Sequence, residues 1–358
     1  MSKKVFIEGA SIAALTSAAR LSKFKYEVTV DGEIYKNTEI AGFTFDTGAP
    51  LTLPAVYRDF FQKTGKHLGQ VLDIKAMDPA FVFKFGDLTI TFANLSRSAR
   101  LAEIESKLGT AAANEWDLLL KQGEYLWDRI RENYVEWEFS PFRFDLSTYM
   151  RMRAPYIQNP YLRKILAHYA TYLGYPADIY KWSQIAAFVE ESFGIWQIQG
   201  GIGALTEVIK NRAIELGVIF GKSSQFDYFI DATEIHNSPA QRLLGLNNYP
   251  EELPVRTIIF NENGLTTDVY AAKLAPGKYS LVINGELGIT EYDKYAVVDQ
   301  IRDEVEGDAD NQILTHIRTA NKRRFKVKHV DSLAHAGITG ELLANAVRGV
   351  KNRPSHEH

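Results

Sequence analysis

Cysteine is absent from the 358 residues, which excludes disulfides, thiolate zinc sites and cysteine nucleophiles and permits a reducing compartment. No run reaches the roughly 18 continuous apolar residues of a membrane-spanning helix, so any bilayer contact would be peripheral. The opening Met-Ser-Lys-Lys-Val-Phe-Ile-Glu-Gly lacks an apolar stretch ending in a small-residue cleavage site, and a cytoplasmic protein without a signal peptide is expected. Charge of one sign is also scarce. The 41 Lys and Arg against 44 Asp and Glu leave a net charge of -3, which predicts no general attraction to nucleic acid. Metalloprotease, EF-hand, Walker and nucleophile-elbow patterns are missing, so metal-dependent proteolysis, calcium binding, P-loop phosphoryl transfer and serine hydrolysis lack their usual residues. The sequence contains no internal repeat and no low-complexity segment.

Apolar residues are 46% and charged residues 24% of the chain, a balance that supports a folded globular protein. The length suits two domains. Aromatics reach 12% and gather between Phe60 and Trp196. They serve either as the walls of an elongated apolar pocket or as a large aromatic core.

Residues Lys4 to Glu8 read as a strand, Gly9 to Ala14 as a turn, and Leu15, Ala18, Ala19 and Leu21 as the apolar stripe of a helix. Tyr26 to Val30 reads as a second strand with β-branched residues. Strand, turn, helix and strand in this order open a doubly wound parallel sheet, and the expected class is α/β with a Rossmann-like domain. Helical spacing then runs from Ser98 to Trp137, from Tyr161 to Tyr172 and from Ser183 to Phe193. Strands return at Phe226 to Ala232, Arg256 to Phe260 and Tyr279 to Ile283. A last helix covers Glu341 to Val350, and residues 351–358 form a tail expected to be disordered.

In a dinucleotide-binding turn, glycines bring backbone N–H groups and the positive helix end close to a pyrophosphate. The spacing here is Gly9-x-Ser11-x-x-Ala14, where Gly-x-Gly-x-x-Gly is usual. Gly9 can make the turn and Ala14 is small enough for helix–sheet packing, whereas Ser11 places a Cβ where the phosphate needs room. The acidic residue that closes the second strand and holds the adenosine ribose falls in Val30-Asp31-Gly32-Glu33. Either Asp31 or Glu33 could serve after a one-residue register change, or the segment is a polar turn.

Beyond this unit, Gly42-Phe43-Thr44-Phe45-Asp46-Thr47-Gly48-Ala49-Pro50-Leu51-Thr52-Leu53-Pro54 closely resembles the segment after the first nucleotide-binding unit of phytoene desaturases. Tyr172-Leu173-Gly174-Tyr175-Pro176 and the glycine-rich Gly194 to Leu205 continue the match, and Phe226 to Thr233 resembles the next strand of flavin-containing amine oxidases. These pieces occur in family order and touch about two thirds of the chain. The resemblance implies FAD held by Gly9, Ala10, Ser11, Ala14, Asp31, Glu33, Gly48, Gly200 and Gly201, with Asp331, Gly337 and Thr339 at the flavin end. It implies a cofactor domain of residues 1–60, 190–240 and 315–350. A largely helical plus sheet substrate domain would then comprise residues 61–189 and 241–314. A ligand cavity is expected between them, lined by Gly48 to Leu53, Trp196 to Gly203 and Gly337 to Glu341. Replacing Gly9 by Leu is expected to remove flavin while leaving much of the fold.

The chain departs from that family in several places. The Gly-Gly-Arg-type clasp after the second strand is missing, most strands between Leu216 and Phe226 are gone, and His329-Val330 replaces the glycine before Asp331. His329 and His335 lie beside the expected flavin edge, where imidazole would suit proton transfer, and equally suit a structural role. The tail histidines His356 and His358 are expected to be solvated. Two readings follow. One is an FAD-dependent oxidoreductase transferring hydride from a lipophilic small molecule to flavin. The other is a flavin-free relative that binds an apolar ligand or partner, or catalyses an isomerisation.

Overall fold

The computed structural model describes residues 2–36, 38–40, 43–48, 51–85, 87–131, 156–172, 180–233, 242–246, 255–260, 266–275, 278–283, 317–321, 323–327 and 333–350. The chain opens with β1 (Lys4–Glu8), α1 (Ile12–Lys23) and β2 (Glu27–Asp31). The antiparallel pair β3 (Thr38–Ile40) and β4 (Phe43–Gly48) comes next, then α2 (Ala55–Thr64) and the short β5 (Ile74–Ala76). β6 (Phe81–Phe85) and β7 (Leu88–Phe92) lead into α3 (Arg97–Leu108), α4 (Thr110–Ile130), α5 (Pro160–Tyr172) and α6 (Tyr180–Phe193). β8 (Trp196–Ile198), α7 (Gly201–Glu215), β9 (Ile219–Phe220) and β10 (Tyr228–Asp231) follow. Then come β11 (Arg242–Leu246), β12 (Val255–Phe260), β13 (Thr266–Ala275) and β14 (Lys278–Ile283). β15 (Ile317–Asn321), β16 (Arg324–Val327) and α8 (Leu333–Arg348) close the run.

A six-stranded sheet in the order β15-β16-β10-β1-β2-β9 draws on distant parts of the sequence. Its pairs are parallel except β15 with β16. Val5, Ile7, Val28, Val30 and Ile230 are buried in one core with α1, α2, α7 and α8, because alternate strand residues share a face. Small residues Ala13, Ala14, Ala18 and Ala19 are buried along α1, which lets neighbouring elements approach it closely. Between β9 and β10 the chain crosses by residues 221–227 alone, and Phe226 stacks on Phe6 at 5.6 Å.

A five-stranded sheet, β14-β13-β12-β6-β7, joins residues 81–92 to residues 255–283, and β6 and β7 pack with α3, α4 and α5 in a second core. Phe81, Phe83, Phe92 and Trp116 are fully buried there, with ring centroids 4.9–5.8 Å apart. These aromatics are core packing. The helical stretch expected from Ser98 is two helices, since Gly109 breaks it with φ +91°. The last helix starts at Leu333, ahead of the expected Glu341.

Candidate functional site

Gly9 leaves β1 with φ +99°, and its N–H donates to the Asp31 carbonyl at 2.7 Å. A Cβ here would stand 2.5 Å from the Ala232 carbonyl oxygen. The end of β10 therefore requires glycine as much as the turn does. This corrects the expectation that a bulky residue at Gly9 would leave much of the fold, because the backbone beyond a neighbouring strand stands in the way. Gly32, with φ +150°, is held in the same manner, its Cβ direction ending 2.9 Å from the Ala10 nitrogen. The position where the resemblance looks for the ribose acid thus excludes any side chain. Asp31 ends β2 half-buried and in register with Glu8, whereas Glu33 is exposed beyond the glycine.

Ser11 caps α1, its Oγ accepting the Ala14 N–H at 3.2 Å while its carbonyl accepts the Leu15 N–H at 2.8 Å. Ala14 is buried in the core with the sheet strands. Ile12 and Ala13, in the first turn, have N–H groups without an intrahelical acceptor. Glu8, Asp31 and Asp231 stand side by side at the carboxyl ends of β1, β2 and β10, on strands about 4.8 Å apart. The Asp231 carboxylate accepts the Thr233 N–H at 3.2 Å and hydroxyl at 2.7 Å.

Of the three distant stretches expected at a shared site, two meet directly, and the third packs on α1 and α2. Gly48 ends β4 opposite Arg242 of β11. A little further on, Leu51 accepts the Trp196 N–H at 2.8 Å. Gly200 and Gly201, at φ +78° and +74°, turn the chain into α7. Gly337 and Thr339 lie inside α8, whereas the last helix was expected to start only at Glu341. A Cβ at Gly337 would meet Val56 at 2.6 Å, and one at Gly340 would meet the Ala13 carbonyl oxygen at 2.6 Å. The two glycines let α8 close on α2 and α1, and this is why the helix runs through them. Thr339 is buried and its hydroxyl has no hydrogen-bond partner. Glu341 binds Lys63 of α2 at 2.8 Å and Arg20 of α1 at 3.4 Å. Burial works to lower the Lys63 ammonium, and the hydrogen bonds to Asp59 and Glu341 outweigh it, so its pKa stands above the ordinary lysine value. Asp331 and His329 lie outside the described residues, as do residues 173–176 and 351–358.

Sequence reasoning missed the polar centre of the helical block. Arg100 of α3 and Glu191 of α6 are buried and paired at 2.6 Å. The Trp116 indole N–H also donates to Glu191, at 3.1 Å, and Arg100 donates to the Ala93 carbonyl at 2.7 Å. Burial raises the Glu191 carboxyl above the usual range against the pull of Arg100 and Trp116. The available signal was Arg100 one helical turn before Ile104, a charge on an apolar stripe.

The first strand–turn–helix fits the adenosine and pyrophosphate half of FAD at two points. The N–H groups of Ile12 and Ala13 would face the pyrophosphate at the positive end of α1, and Asp31 would take the ribose hydroxyls. The fit is loosened by the Ser11 cap and by the row of carboxylates.

No protein-family model matches the chain. A 4,4'-diapolycopene oxygenase from a Methylomonas species is 24% identical over 242 residues, covering 60% of this chain and 48% of that protein. A zeta-carotene-forming phytoene desaturase from Myxococcus xanthus is 25% identical over 243 residues, covering 61% and 46%. The chain spans about half the length of the curated relatives it matches. An oxidoreductase from Methanosarcina mazei superposes with a TM-score of 0.54 at 12% identity, over 94% of this chain and 99% of that one. Putrescine oxidase bound to putrescine gives 0.54 at 11% identity, over 98% and 99%. The structural likenesses show the fold alone. Among the described residues no helix is long and apolar enough to cross a membrane. Over about 60% of its length the chain is similar in sequence to a carotenoid oxygenase and a phytoene desaturase, and its α/β fold with a Rossmann-like parallel sheet is similar to that of an oxidoreductase and of putrescine oxidase.

Proposed function

We propose that the chain is an FAD-dependent oxidoreductase acting on a lipophilic small molecule. The observation that carries this reading is the β1–α1–β2 unit set in the six-stranded sheet, with Gly9 at its turn and Asp31 at its strand end. The carotenoid names of the sequence relatives support an apolar, unsaturated substrate. Bound FAD would supply the two-electron acceptor for a hydride leaving a C–H bond. The chain's own residues would hold and orient it. Ile12 and Ala13 would meet the pyrophosphate through N–H groups, Asp31 would accept the ribose hydroxyls, and Gly9 and Ala10 would keep the turn flat enough for approach. Hydride transfer to a cofactor needs no nucleophile of the protein's own. In this reading residues 1–60, 190–240 and 315–350 serve the cofactor and residues 61–189 and 241–314 the substrate.

The test reconstitutes the full chain with FAD and mixes it anaerobically with linear polyene hydrocarbons of increasing length. Bleaching of the flavin absorbance that saturates with one of these substrates is the expected result. Absence of saturable FAD binding would overturn the reading.

A further inference from the structure

We infer that FAD is a dissociable ligand of this chain, taken up and released like a substrate, because Ser11 takes one of the helix-end donors that the pyrophosphate would use. The inference rests on the flavin reading above and deepens it. Three observations carry it. First, the Ser11 hydroxyl already satisfies the Ala14 N–H at 3.2 Å, so a phosphate oxygen gains that donor only by displacing the cap. The side chain also occupies the place where the usual second glycine leaves room.

Second, the turn brings its own negative charge. Glu8 directly precedes Gly9, is exposed, and lies in register between Asp31 and Asp231. A pyrophosphate entering here meets carboxylates on neighbouring strands, and at separations under a Debye length they oppose it. Gly32 leaves no compensating side chain, since its Cβ direction is filled by the Ala10 nitrogen.

Third, the turn is held by the protein alone. Gly9 rests on the Ala232 carbonyl, Gly32 on Gly9 and Ala10, and Gly340 of α8 on Ala13 and Thr16. The contacts that fix the turn are thus made by the protein's own segments. A cofactor that finds one helix-end donor taken and carboxylates alongside is held by few interactions and leaves readily.

The experiment uses the purified full chain, its Ser11→Gly variant and its Glu8→Gln variant. Retention of flavin through gel filtration is measured first, then FAD affinity by flavin fluorescence across a salt series, with thermal melting of each apo-protein. The wild type is expected to elute without flavin, to melt cooperatively, and to bind added FAD saturably. Ser11→Gly should tighten binding about fivefold, the equivalent of one N-cap interaction, at little cost in stability because glycine is itself tolerated at that cap. For the wild type, added salt should strengthen binding, the reverse of ordinary anion capture. Glu8→Gln should flatten that dependence.

Flavin that stays stoichiometric on the wild type through gel filtration would overturn the inference and leave the oxidoreductase reading standing. So would a Ser11→Gly variant that melts normally and binds no tighter. If neither protein binds FAD saturably at any salt concentration while both remain folded, the flavin reading itself fails.

Discussion

Around β1 and α1 the elements approach one another through missing side chains, whereas around α3, α4 and α6 they meet across a buried guanidinium and carboxylate. At Gly9, Gly32 and Gly340 an added Cβ would come within 2.5–2.9 Å of another segment's backbone. In the helical block, Arg100 and Glu191 are both almost completely excluded from solvent. The first arrangement has no slack, because a backbone cannot yield as a side chain can. The second consists of two groups that are costly apart and replaceable together. Substitution at the packing glycines should therefore cost more than substitution at Ser11, which glycine itself can replace as a cap.

The largest effect is expected from separating the buried pair. Arg100→Met should cost about 3–5 kcal/mol at neutral pH by leaving the carboxylate uncompensated. Glu191 has a folded-state pKa raised by burial, so the stability tied to its protonated form is complete below the unfolded value of about 4.3 and is lost as pH rises through the folded value. Without Arg100 the rise is larger. Denaturant melts of Arg100→Met should show stability returning on acidification, and a flat profile would contradict the assigned cause. Replacing both partners, Arg100→Met with Glu191→Leu, should return the protein close to wild-type stability.

Next in size is Gly9→Ala, which should cost about 2–3 kcal/mol through the positive φ and the contact with Ala232. Its melting temperature should fall in the absence of any flavin, which separates packing from cofactor loss. Asp31→Asn should weaken FAD by about 1.5 kcal/mol, the lower range for a charged hydrogen bond, while Glu33→Gln leaves affinity unchanged. Equal effects in a fluorescence titration would reject Asp31 as the ribose ligand. Smallest is Thr339→Val, where loss of an unpartnered buried hydroxyl should leave the melting temperature unchanged or slightly raised.

The parallel unit was legible in the sequence because its signals are local. Val28 and Val30 alternate with partly exposed residues, and glycine marks the turn. The strands at Tyr228–Asp231, Val255–Phe260 and Lys278–Ile283 lie close to their expected places for the same reason. What misled was glycine inside α8. The expected helix begins only at Glu341, past Gly337 and Gly340, since glycine weakens a helix by about 1 kcal/mol, and the proximity of α2 and α1 explains their presence inside it. The pairing of β4 with β11 joins residues 43–48 to 242–246, and no local pattern reports a contact of that sequence separation. At the site, Asp31 was left level with Glu33 because the choice depends on how Gly32 leans on Ala10.

One edge of the six-stranded sheet is β9, which spans only Ile219–Phe220 and pairs with Thr29 and Val30 of β2. Ile219 is 66% exposed, so this rim is apolar. Its brevity offers an approaching strand very few unpaired amides, and Gly221 with Lys222 follows at once. Edge strands of this kind resist recruitment into intermolecular β-sheet despite a sticky side chain. Extending β9 by four alternating Val and Thr residues at Gly221 would remove that protection, and the engineered chain should form sheet-rich aggregates at concentrations where the parent stays dispersed.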